Sequence, residues 1–125
     1  LASDQGDQVS ALASLGKAIQ TLESVRPVFE ESVQQHESYR RYLAQVYEYL
    51  GETYQWQGYI FELNQDYARA LDSYDKALAA YSKCIAQGDP NLTSDLIIQN
   101  DIVGGLCQPY YQQTKEIYDA LKGAQ

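Results

Sequence analysis

The chain has 125 residues, 45% of them hydrophobic, with a formal charge of −8 at neutral pH. That length suits one domain with a core of its own. The acidic balance excludes recognition of nucleic acid, which needs a basic face, and argues against docking on an anionic membrane. No apolar run approaches the ~20 residues of a membrane span, so membrane insertion is excluded too.

Residues 1–8 are polar and read as a frayed start. Val9, Leu12, Leu15, Ile19 and Leu22 follow at spacings of three and four, the mark of an amphipathic helix. A first helix over 5–26, serving as an N-terminal cap, is expected to stop before Pro27, because proline disfavours helix at the residue before it. Pro27 then fits the first turn of a second helix over 27–50, with a weaker break at Gln35 to Ser38. Leu43, Val46, Tyr47, Leu50, Tyr54 and Phe61 form one apolar stripe across Gly51 and Gly58. Both glycines fall on or beside that stripe, so they are read as points of close approach rather than as stops.

Asn64-Gln65-Asp66 reads as a tight turn, with Asn64 or Asp66 capping the helix that follows. That helix is ended by Gly88-Asp89-Pro90. Thr93 or Ser94 then caps a segment carrying Leu96, Ile97, Val103 and Leu106. Gly104-Gly105 and Pro109 are expected to break or kink it before Tyr110 to Lys122. Helix formers are plentiful and β-branched residues sparse, and no alternating strand pattern occurs. The fold class is all-α, with five or six helices.

Within 54–81 the order Tyr54, Gly58, Phe61, Tyr67, Ala70, Tyr74, Ala77 resembles the tetratricopeptide repeat (TPR). In that pattern small residues let two antiparallel helices approach while aromatics fill the space beside them. The resemblance covers the hairpin at 51–88. The family's tryptophan position holds Tyr54, with Trp56 two residues on; Gln65 replaces the usual turn glycine, and Ser82 the closing proline. The helix running past that point is similar to the longer-period repeats of the kinesin light chain type. A degenerate second hairpin over 92–122 is expected, since Tyr74-x-x-Ala77-x-x-x-Tyr81 returns as Tyr111-x-x-Thr114-x-x-x-Tyr118. The resemblance implies antiparallel hairpins stacked as a fragment of a right-handed superhelix.

It also implies a groove lined by the first helix of the hairpin, placing Glu52, Gln55, Trp56, Tyr59 and Glu62 at a peptide- or partner-binding face. The family's carboxylate-clamp members carry Lys, Arg and Asn there; Glu and Gln disfavour that ligand and prefer a basic or extended polar segment. Tyr54, Tyr67, Tyr74 and Tyr81 are assigned to packing, and Tyr39, Tyr42, Tyr49 and Tyr59 are the better candidates for contact.

Catalytic groups are few. His36 is the sole histidine and sits on a polar segment. No nucleophile–base pair, metal-ligand spacing or phosphate-cradling loop is apparent, so neither cofactor nor metal is expected. Cys84 and Cys107 each fall on an apolar stripe as small buried hydrophobes, with a bridge between them left open. Leu1 and the lack of methionine suggest a processed chain or a part of a larger one, and the location is left open, with the cytoplasm slightly favoured. The expected function is a non-catalytic protein-interaction module for a protein or peptide, a basic one favoured. The alternative is a structural bundle or capping segment that forms homo-oligomers.

Overall fold

In the computed structural model, which describes residues 2–125, the chain is helical and, among the described residues, without strands. Four α-helices carry the fold: α1 (Ala2–Gln35), α2 (Arg40–Leu63), α3 (Tyr67–Gln87) and α4 (Gln108–Gly123). A 3-10 turn at Glu37–Tyr39 joins α1 to α2, and a π-helical segment, Ile97–Cys107, leads into α4. The frayed start expected at 1–8 is helical from Ala2, while Leu1 lies outside the described residues.

Two expected breaks are absent, which is why four α-helices stand in place of five or six. Pro27 lies inside α1, so 27–35 completes the first helix and 40–50 begins α2. An interior proline costs on the order of 3 kcal/mol through a lost hydrogen bond and a steric clash. Here Leu22 and Val25 before it and Phe29 and Val33 after it pack on the same core. Full burial of such a side chain contributes about 1.5–3 kcal/mol, and the partial burial of these four together offsets the proline and keeps the helix whole. Arg26 bridges the site by pairing with Glu23 at 3.2 Å and Glu30 at 2.8 Å. The break at Gln35 to Ser38 does occur: helix α1 ends at Gln35, and His36 is extended.

The second correction concerns 92–122, which is no hairpin. The π segment runs straight into α4, with the Gln108 N–H bonded to the Val103 carbonyl five residues back. Neither Gly104 nor Gly105 adopts a positive φ, and Pro109 sits in the first turn of α4, where its missing N–H matters least. The buried residues Ile98, Ile102, Val103 and Cys107 recur every four to five positions. A wider turn than the α-helix keeps them on one face. Ahead of this segment, Thr93 Oγ1 accepts the Asp95 N–H at 3.1 Å and Asp95 Oδ1 accepts the Ile97 N–H at 2.9 Å, so Thr93 and Asp95 share the cap. Asp95 also pairs with Arg41 at 2.5 Å, tying the segment to α2.

Consecutive α-helices run antiparallel. Tyr47 of α2 donates a hydrogen bond to Glu30 of α1. Gly51 and Gly58 meet Tyr81 and Tyr74 of α3, and Tyr81 of α3 meets Tyr110 of α4. The main core gathers Leu43, Val46 and Leu50 from α2, Ala77 and Tyr81 from α3, and Ile98 and Ile102 from the π segment. Cys84 and Cys107 lie within it as a disulfide, with Cα atoms 6.3 Å apart, rather than as separate thiols. The bridge fastens the end of the π segment to α3.

The interface between α2 and α3 repeats one device. Along α2, Ala44, Gly51 and Gly58 recur every seven residues, and so do Glu48, Gln55 and Glu62 four positions after each. A Cβ on Gly51 would lie 2.3 Å from the Tyr81 ring, and one on Gly58 would lie 2.7 Å from Tyr74. Each buried ring therefore lies directly on α2 backbone, and each hydroxyl reaches the acceptor one turn on. Tyr81 donates to Gln55 Oε1 at 2.7 Å and Tyr74 to Glu62 Oε1 at 2.8 Å. The next residue of the tyrosine row, seven beyond Tyr81, is Gly88, so the third acceptor, Glu48, receives no phenol from it. In the turn between the helices, Gln65 has φ 59°, the left-handed backbone usually given to glycine. Asp66 caps α3 by accepting the Arg69 N–H at 3.3 Å.

Candidate functional site: an aromatic cleft between the second and fourth helices

Residues three and four apart share a helix face. On α2, Glu52, Gln55, Trp56 and Tyr59 therefore form one surface, and on α4 Tyr110, Gln113 and Ile117 form another. The two surfaces flank an open cleft of about 410 Å³, with Tyr74 of α3 between them. Such a volume is within the range of small-molecule and side-chain sites. Trp56 is 58% exposed and Tyr59 47%, and their rings meet edge to face with centroids 5.9 Å apart. Behind the lining, the ring of buried Tyr81 lies 5.9 Å from that of Tyr110. The lining holds four aromatic rings, one carboxyl, two amides and one aliphatic side chain, but no lysine or arginine.

Four of the five residues expected at a binding face are thus brought together: Glu52, Gln55, Trp56 and Tyr59. Glu62 is not among the cleft residues; it belongs to the seam with α3 as the acceptor for Tyr74. Burial first, then the Glu62 carboxylate, raises the Tyr74 phenol above its usual range. Of the expected packing residues, Gly58, Ala70, Tyr74 and Ala77 are buried, while Tyr54, Phe61 and Tyr67 are partly buried against the core. Tyr39, Tyr42 and Tyr49 are exposed, and the first two gather with Phe29 and His36 near the 3-10 turn.

Glu48 is the functional candidate that apolar periodicity missed. Only 3% of it is exposed. Burial, then a hydrogen bond and charge repulsion from Glu52, push its carboxyl up to about 8. At neutral pH the buried Glu48 carboxyl therefore keeps its proton. Glu48 stands one turn behind Glu52, which opens on the cleft. The seven-residue recurrence of Glu48, Gln55 and Glu62 was the signal in the sequence. It marks a polar row facing another helix rather than solvent.

Among the described residues no cluster of His, Cys, Asp and Glu is arranged to hold a metal. The chain matches no protein-family model, no curated protein and no solved structure.

Proposed function

We propose that this chain is a non-catalytic interaction module that receives a protein or peptide segment in the cleft between α2 and α4. The observation that carries the reading is the cleft's composition: exposed Trp56 and Tyr59 beside Gln55 and Gln113, on rigid helices, with buried Tyr74 beneath. Aromatic anchors flanked by amides are the side chains that dominate recognition surfaces. The glycine–tyrosine seam supports a TPR-like hairpin for α2 and α3, in which the groove-facing helix is the first of the pair. The Cys84–Cys107 bridge favours an oxidising compartment over the cytoplasm.

The test is selection of random displayed peptides on the folded chain, followed by titration of the selected peptides against Trp56→Ala and Gln113→Ala. Loss of a central aromatic anchor costs at least about tenfold in affinity, with helicity by circular dichroism unchanged. Failure to enrich any peptide, or equal binding to wild type and Trp56→Ala, would overturn the reading. Glu62→Lys is not a suitable probe, because it removes the acceptor of Tyr74 and tests the fold. Light scattering separates the alternative, self-association, because a module of this kind need not dimerise to bind.

A further inference from the structure

Four aromatic rings outside the cleft are matched with the molecule's own cations. Lys76 lies 5.9 Å from the Tyr54 ring centroid and Lys83 5.8 Å from that of Tyr47. Arg69 lies 5.8 Å from Phe61, and Lys115 and Lys122 both approach Tyr118. Among the described residues, no such contact is made to Trp56, Tyr59, Tyr74 or Tyr110, the four rings of the cleft. Those rings stand beside the Glu52 carboxyl, with no basic side chain in the lining. Behind Glu52 is a second carboxyl, Glu48, that no tyrosine of the seam engages.

We infer that the cleft is a receptor for one cationic side chain, arginine or lysine, of a bound peptide, and that seating this side chain against Glu52 makes the buried Glu48, one turn behind it, release a proton. The inference rests on the cleft being a peptide site and specifies what it selects. Aromatic faces attract a guanidinium or ammonium, most strongly when water is excluded, and a carboxylate at the end of the box supplies the counter-charge. Glu48, buried one turn behind Glu52, is protonated before the ligand enters. A cation against Glu52 makes the second ionisation easier, so Glu48 gives up its proton to solvent as the ligand enters. Glu52, on the same helix, is the charged group acting on Glu48. From α3 the ionisable group in this region is Tyr81, held protonated by burial and then by repulsion from Glu52 and Glu48. From α4 it is Tyr110, and from the π segment Cys107 is locked in the disulfide.

The sign follows from the direction of proton flow. Binding releases a proton, so affinity rises with pH and levels off above about 8, where Glu48 is already ionised. The probes are the blocked peptide Gly-Gly-Arg-Gly-Gly, the same peptide with neutral citrulline for arginine, and N-acetyl-arginine amide. Each is titrated by Trp56 fluorescence and by calorimetry in two buffers of different ionisation enthalpy. The arginine peptide should bind roughly tenfold or more tightly than the citrulline peptide. Its affinity should rise about tenfold or more from pH 6 to 9, with proton release seen in the buffer comparison. Glu48→Gln should flatten the pH profile while keeping the preference for arginine, and Glu52→Gln should remove that preference. If N-acetyl-arginine amide binds as tightly as the peptide, the site is a receptor for the free cation and the peptide part is wrong. Equal binding of arginine and citrulline, or a flat profile in the wild type, overturns the inference. If peptides selected on the cleft bind without any basic residue, the interaction reading survives and this one fails.

Discussion

Helix α2 presents two neighbouring faces that were solved in opposite ways. Toward α3 it offers Gly51 and Gly58, and the Tyr81 and Tyr74 rings close onto its backbone. Toward α4 it offers Trp56 and Tyr59, and the helices stay apart with a cleft between them. The difference lies in where the bulk sits. On the seam the large side chains come from α3 alone and α2 is bare, so ring meets backbone and each phenol finds an acceptor one turn away. At the cleft both helices carry large side chains, Trp56 and Tyr59 against Tyr110 and Ile117, so neither can descend on the other. One face of α2 therefore holds the fold together while the other remains available for contact.

Filling the bare face should have the largest effect. Gly51→Ala places a methyl carbon 2.3 Å from a fully buried ring, and Gly58→Ala places one 2.7 Å away. Rings this deeply buried leave little room for an added methyl, and overpacking of this kind costs on the order of 3 kcal/mol. Urea denaturation should show Gly51→Ala losing at least as much as Gly58→Ala. A neutral result at either position would mean that the seam is looser than the contact between ring and backbone implies.

The π segment before the cleft's far wall is held differently, by the covalent bridge. Cys84 and Cys107 are 23 residues apart, and a loop of that length stabilises a fold by roughly 3 kcal/mol through its effect on the unfolded chain. Replacing both cysteines with alanine should cost about that much or a little less, measured as the shift in denaturation midpoint against oxidised wild type. The local consequence should be uneven. Amide exchange should quicken over the π segment and α4 and change least at the backbone under Tyr74 and Tyr81.

These two attachments also differ in how far the sequence disclosed them. The seam was legible, because glycines on an apolar stripe and alanines and tyrosines on the next helix can satisfy one another in few ways. Its polar half was legible only as a seven-residue recurrence, which apolar periodicity does not register, so Glu48 gave no signal there. The four cleft residues of α2 were named only by the resemblance to the tetratricopeptide repeat. Tyr110, Gln113 and Ile117 were not, because 92–122 was read as a hairpin. Local rules make Gly104-Gly105 and Pro109 breakers, yet the packing of Ile98, Ile102 and Val103 on the core overrides them. Pro27 gives the same lesson in α1, where apolar residues on both sides of the proline are held by one surface. The disulfide could not be read from two cysteines alone, since pairing depends on a distance that the chain acquires only when α3 and the π segment meet.

The smallest effect expected is the control for the first. Gly16 also lies inside a helix, but α1 is exposed there and a Cβ would meet nothing within 4 Å. Where no neighbour is crowded, glycine in a helix is a cost in backbone entropy alone, about 0.8–1 kcal/mol relative to alanine. Gly16→Ala should therefore stabilise the chain by roughly 0.5–1 kcal/mol, the opposite sign to the same substitution at Gly51. Both variants make one chemical change in an α-helix, so the difference between them measures what the tyrosine contributes by lying on the backbone. If Gly16→Ala also destabilised, helix propensity would not explain α1, and the loss at Gly51 could not be assigned to the ring of Tyr81.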